Sequence, residues 1–244
     1  MAFVAAGKTL RNESPDDDPE VIHVDTGGGK FDHHQDQSRQ PACVQVFEEL
    51  ERGDVKLEDD QALERLIAVV EDADIGNYIH WPESQTDRYE FSLDGIIGGL
   101  KKRGFPDQKL VDLSLVFLDG VYSALRCKIK AEKILESGVV FETKWGEGIG
   151  FETENDMILD LGEKKGYALV VRKDPKTGSL RIYARNDRGV DLTPAWEKFK
   201  EKDPEATWFL HQSKCLLLNG STKNPDMRMT KLSLKEVIEV LKEI

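Results

Sequence analysis

The sequence predicts a mixed α/β protein in two domains, residues 1–135 and 136–244, and three observations predict it. A short apolar run, Val21, Ile22 and Val24, reads as a buried strand and ends on Asp25 and three glycines. Amphipathic helical segments then fill the chain up to about residue 135. From Gly138 the texture changes to short β-type runs punctuated by glycine, closing on a last helix, which describes a smaller α+β unit.

Residues 1–10 read as the tail of a helix ending near Asn12, followed by a polar acidic turn from Ser14 to Glu20. The strand at Val21–Val24 would deliver the Asp25 carboxylate to the carboxyl end of a sheet, where open α/β folds place their ligands. Gly27, Gly28 and Gly29 let the backbone turn sharply and approach a bound ion or phosphate. Asp32, His33 and His34 follow at once. Two hard carboxylates and two imidazoles suit Mn²⁺, Mg²⁺ or Zn²⁺ and differ from an all-thiolate structural zinc site. On an extended segment adjacent side chains point opposite ways, so His33 and His34 are expected to do different jobs, one as ligand and one as substrate contact.

Beyond Pro41, ACVQVFEELERG places Val44, Phe47 and Leu50 on one helical face and closes on Gly53. A second helix starts near Asp60 and carries Glu71, Asp72 and Asp74 where its apolar face stops. Acids at a helix C-terminus oppose the macrodipole unless a cation compensates. A Pro-containing loop bearing His80 and Trp81 leads to a short helix with Gly98 and Gly99. Then comes a long helix with Leu110, Leu113, Val116, Phe117, Val121 and Leu125 in an apolar stripe, expected to connect and brace the two domains. In the second domain YALVVRKDPKTGSLRIYAR reads as a hairpin with its loop at Pro175–Gly178. An amphipathic stretch at Pro194–Lys202 and a helix at Leu234–Ile244 complete it. TWFLHQSKCLLLNGST puts His211, Ser213, Lys214, Asn219, Gly220, Ser221 and Thr222 after a strand, a set of polar groups able to hold a phosphate.

The string FDHHQ behind VDTGGG resembles the motif of the DHH phosphoesterase superfamily, and within it the melanocyte-proliferating-gene type of DHH-like nuclease. The resemblance covers most of the chain. It implies a DHH-type domain with a parallel sheet flanked by helices, and an activity as a metal-dependent phosphoesterase, for that branch a 3′-to-5′ RNA exonuclease. It implies divalent metal, Mn²⁺ foremost, on Asp25, His33 and an aspartate of the second helix. The alignment favours Asp72, which ranks slightly ahead, and the position after an alanine favours Asp74. Asp32 would orient His33, His34 would contact phosphate, and Gly28, Gly29, His211, Ser213, Lys214, Asn219, Gly220 and Ser221 would hold substrate. The branch has Gly-Gly where Leu217 and Leu218 stand here. The superfamily's first strand, with its own His/Asp cluster, has no counterpart before Asp25, so that either the sequence is truncated or renumbered, or the site is incomplete. The alternatives are a phosphoesterase acting on dinucleotides, nucleotides or pyrophosphate, and a member that binds metal or nucleotide without hydrolysis.

The chain has 244 residues, 39% hydrophobic and 33% charged, with a formal net charge of -12. That charge argues against a surface that grips long duplexes through many phosphates and favours short single-stranded RNA or a nucleotide-type ester held locally. No run is long enough to span a bilayer, and MAFVAAGKTLRN lacks the features of a secretory signal, so the cytoplasm is expected. Cys43, Cys127 and Cys215 are few, odd in number and far apart, which predicts reduced thiols.

Overall fold

A computed structural model describes residues 1–34, 40–53, 57, 59–221 and 223–244. The fold is mixed α/β. The chain divides into two compact units, Met1–Arg126 and Cys127–Ile244. Among the described residues the three cysteines are free, and no helix is long and apolar enough to cross a membrane.

The first unit is helical. Its elements are α1 (Ala42–Gly53), α2 (Gln61–Asp74), α3 (Leu93–Lys102) and the start of α4 (Asp107–Leu135), inside which the boundary between units falls. The caps explain two of the starts. Asp60 accepts the backbone N–H groups of Ala62 and Leu63 at the head of α2, and Ser92 accepts that of Gly95 at the head of α3. The stripe on α4 is covered only in part: Leu110 is buried, while Val116, Phe117 and Val121 are exposed.

Two expectations for this unit are corrected. The residues before Leu10 form no helix; a single 3₁₀ turn, Leu10–Asn12, is present, with left-handed φ at Arg11 and Asn12. A short helix without packing partners does not repay its nucleation cost. The strand expected at Val21–Val24 is reduced to one isolated parallel bridge, Val24 to Phe31. Burial there is the reverse of the pattern read from sequence, with Ile22 70% exposed and His23 buried. A strand is stabilised by its neighbours across the ladder, and the described residues of this unit contain no sheet to supply them. The parallel sheet expected for residues 1–135 is therefore not found among them.

The sheet lies in the second unit. It has six strands, β1 (Val139–Thr143), β2 (Gly146–Glu152), β3 (Leu169–Lys173), β4 (Leu180–Ala184), β5 (Trp208–Leu210) and β6 (Leu216–Asn219), in the order β1-β2-β3-β4-β6-β5. All pairs are antiparallel except β2 with β3, which are parallel and joined through α5 (Met157–Lys164). The β3–β4 hairpin is the one read from sequence. Its turn is fixed by Asp174, whose Oδ1 accepts the N–H groups of Lys176 and Thr177. On one face Leu169, Val171, Leu180, Ile182 and Leu217 pack with Phe199 of α6 (Thr193–Lys202) and Val237 and Leu241 of α7 (Leu234–Lys242). On the other, Ile149, Phe151 and Val170 pack with Ile158 and Leu159 of α5 and with Ala131.

A capping box starts α7: Ser233 Oγ accepts the Glu236 N–H, and the Glu236 carboxylate accepts the Ser233 N–H. Ser233→Ala is expected to cost about 1 kcal/mol. In urea unfolding of the full chain this appears as a lower midpoint with an unchanged slope; an unchanged midpoint would remove the cap from the account of α7.

Candidate functional site

The segment Asp25–His34 is a loop that closes on itself. The Asp25 N–H donates to the Phe31 carbonyl at 2.8 Å, and the turn between them runs through left-handed φ at Asp25, Gly27 and Gly28. Asp32 is its anchor. Its carboxylate accepts the Gly28 N–H at 2.7 Å, the His34 N–H at 3.0 Å and the His34 ring at 2.6 Å. The His34 N–H chiefly, with that of Gly28 and the His34 ring, holds the Asp32 carboxyl down at about 2 against the opposing effect of burial. In return the Asp32 hydrogen bond raises the pKa of His34. Asp32 therefore orients His34, and the expectation that it orients His33 is corrected.

His33 faces two other carboxylates. Its Nδ1 lies 3.5 Å from Asp25 Oδ1 and its Nε2 3.7 Å from Asp74 Oδ2. His34 Nδ1 lies 3.8 Å from the same Asp25 oxygen. The two imidazoles stack, with centroids 4.6 Å apart and planes at 17°. Their expected divergence presumed an extended backbone, and here His34 sits in a turn. Asp25, His33 and His34 each offer one donor atom, all within 4.8 Å of one another. His33 Nδ1 is buried and has no hydrogen-bond partner, in a site where a buried polar atom ordinarily has one. Hard oxygens, imidazole nitrogens and an orphaned buried nitrogen suit a divalent cation.

Of Asp72 and Asp74, it is Asp74 that lies beside His33. Two residues apart on a helix means about 200° of rotation, so only one of the pair can face a given neighbour. Asp74 faces His33. Asp72 turns the other way and accepts the indole N–H of Trp81, the residue directly after the 3₁₀ turn Asn77–His80 that follows α2. The Trp81 bond first, and then one from Asn77, lowers its pKa. Trp81 thus ties its loop to the end of α2, a role that the sequence left open. Cys43, near the start of α1, senses the acidic helix end: burial and then the charges of Asp74 and Glu71 raise its thiol pKa. That negative field is what a bound cation would relieve.

The expected substrate glycines serve the loop itself. Gly28 spends its N–H on Asp32, and a Cβ on Gly29 would lie 2.9 Å from Asp16 Oδ2. Gln35 of the DHHQ string and Thr222 lie outside the described residues.

In the second unit His211 is exposed, with Nδ1 accepting the Ser213 N–H at 3.1 Å and paired with Ser213 Oγ at 2.9 Å. A ring that accepts at Nδ1 carries its N–H on Nε2, free to meet a ligand. Ser221 Oγ accepts the Lys223 N–H. Three expectations are corrected here. Lys214 is an ion-pair partner and not a free cation, since its Nζ lies 2.7 Å from Asp191 Oδ2. Asn219 is fully buried and spends its amide on the protein backbone. Gly220 has φ of +88°, and a Cβ there would lie 2.4 Å from Met229 Sδ, so it is a packing glycine. Asp191 was not foreseen; its one signal in the sequence is Asp-Leu-Thr, in which Asp191 Oδ1 accepts the Thr193 N–H at 2.8 Å.

The Lys214 bond chiefly, with Thr193, holds Asp191 at about 2, below its ordinary 3.8. A carboxyl depressed on folding adds stability above its unfolded pKa and loses it as pH falls through the folded one. The contribution is therefore present above about pH 4 and gone near pH 2. Both side chains are about half exposed, so solvent screening keeps it under about 1 kcal/mol. Asp191→Asn should be less stable than wild type at neutral pH, with the two curves converging as pH falls through that window. A gap that persists unchanged at the acid end would assign the effect to something other than this charge.

Compared with models of known protein families and with curated proteins, the chain matches none.

Proposed function

We propose that the chain is a metal-dependent phosphodiesterase that shortens short single-stranded RNA from the 3′ end. The observation that carries this reading is the convergence of Asp25, His33 and His34, with Asp74 beside His33. These four residues would hold a divalent cation, Mn²⁺ by preference. Such an ion supplies Lewis-acid polarisation of a phosphoryl oxygen and ionises bound water near neutral pH.

The remaining chemistry belongs to the chain. Asp32 fixes the ring plane of His34, as a carboxylate behind a ligating histidine does. Trp81 holds the end of α2, and so the helix turn from which Asp74 projects. The net charge of -12 disfavours long polyanions and leaves short substrates as the natural class.

The test is hydrolysis of bis(p-nitrophenyl) phosphate and of 5′-labelled RNA, from dinucleotide upward, with Mn²⁺ or with EDTA. Expected is EDTA-sensitive turnover that trims longer RNA stepwise. Turnover confined to the dinucleotide would replace RNA by a small phosphoester as substrate. No EDTA-sensitive hydrolysis on any substrate would reject the enzymatic reading.

A further inference from the structure

We propose that two copies of this chain pair through the outer edge of β1, extending the sheet across a twofold axis, with the hairpin tip of each copy, Lys144 and Trp145, seated in a groove of the other.

The two edges of the sheet differ. β5, at one end, has three residues, and a very short edge strand offers little template for pairing. β1, at the other, has five, Val-Val-Phe-Glu-Thr, without the lysine, proline or bulge that ordinarily protects an edge. Val139 and Val140 are 52% and 50% exposed, on opposite faces of this edge. Alternate residues of an antiparallel edge strand direct their N–H and C=O groups outward, unpaired.

A second copy is the occupant that charge and register favour. Antiparallel self-pairing centred on Phe141 overlaps all five residues and sets Glu142 opposite Val140 of the other copy. Centring on Glu142 would set two carboxylates face to face, which is destabilising. The register about Phe141 continues in both directions. It brings Lys144 opposite Gly138, and Trp145 opposite Ser137, of the second copy.

Those positions open on a groove of about 610 Å³ whose walls include Ile134, Ser137, Val139, Phe151, Ile238 and Glu152. The tip fits it chemically. Lys144 Nζ lies 4.5 Å from the centroid of the half-buried Trp145 ring, so an indole and a cation arrive together at a groove with apolar walls, whose charged lining is Glu152 and Glu239 together with Lys235 and Lys242. Because a twofold contact is isologous, each copy gives one tip and receives one.

Analytical ultracentrifugation of the full chain over a concentration series tests this. Wild type is expected to be a dimer. Val140→Lys, on the exposed edge, and Lys144→Glu, against Glu152, should each weaken it by at least about tenfold, the effect of setting like charges together or charging the seam. Lys144→Glu combined with Glu152→Lys should restore it. Unchanged far-UV circular dichroism and melting temperature verify that each variant is folded. A wild type that stays monomeric, or a dimer indifferent to both substitutions, overturns the proposal. Weakening by Val140→Lys alone keeps the β1 edge and overturns the seating of the tip.

Discussion

Replacing His33 with alanine is expected to weaken Mn²⁺ binding by at least about tenfold, because the loss of groups that merely support a ligand already costs that much. His33 is the ring that two carboxylates share, with Asp25 on its Nδ1 side and Asp74 on its Nε2 side. Asp74→Asn and Asp72→Asn sharpen the test. Asp74→Asn removes a charge beside His33 and should weaken binding. Asp72→Asn keeps an oxygen that can accept the Trp81 indole N–H and should leave affinity near wild type. Titration calorimetry on EDTA-stripped protein reads all three. If His33→Ala and wild type bind equally, the loop at Asp25–His34 is not a metal site. If Asp72→Asn falls with His33→Ala while Asp74→Asn does not, the assignment of Asp74 is reversed.

What the sequence revealed depended on how local the physics was. The helices α1 to α4 and α7 were legible, because a 3.6-residue repeat and nearby caps such as Asp60 and Ser233 depend on few neighbours. The β3–β4 hairpin was legible from Pro-Lys-Thr-Gly. The parallel pairing of β2 with β3 was not, since nothing in either strand announces a crossover through α5. Val21–Val24 has the composition of a strand, but composition cannot supply a ladder partner.

The candidate site divides in the same way. Asp25, His33 and His34 were singled out by their density behind three glycines. Their mutual placement was misread because an extended backbone was presumed where the chain turns. Choosing between Asp72 and Asp74 required knowing where Trp81 lies, nine residues further on. Lys214 read as a free cation because its partner, Asp191, stands 23 residues earlier.

Asn219→Ala is expected to lower the stability of the chain by about 3 kcal/mol, since each buried group left without its partner costs on the order of 1–3 kcal/mol and relaxation recovers part of the sum. Asn219 sits at the end of β6 with no exposed surface. Its Nδ2 donates to the carbonyls of Thr207 and Arg228 at 2.8 and 2.9 Å, and its Oδ1 accepts the Thr230 N–H at 2.7 Å. Thr230 in turn donates its hydroxyl to the buried Asp203, so one amide ties the end of β6 to the entry of β5 and to the segment before α7. Alanine leaves the Thr207 carbonyl and the Thr230 N–H without this partner, while the Arg228 carbonyl keeps the Thr207 N–H. Asn219→Asp should be no better, because it sets a carboxylate oxygen against two carbonyls in place of a donor. Thermal melting should fall by roughly 10 °C, at 2–4 °C or more per kcal/mol for a domain of this size. A substrate contact would behave otherwise, leaving the melt unchanged and raising KM. A variant that melts with wild type would return Asn219 to the substrate-binding residues and undo its assignment as a structural link.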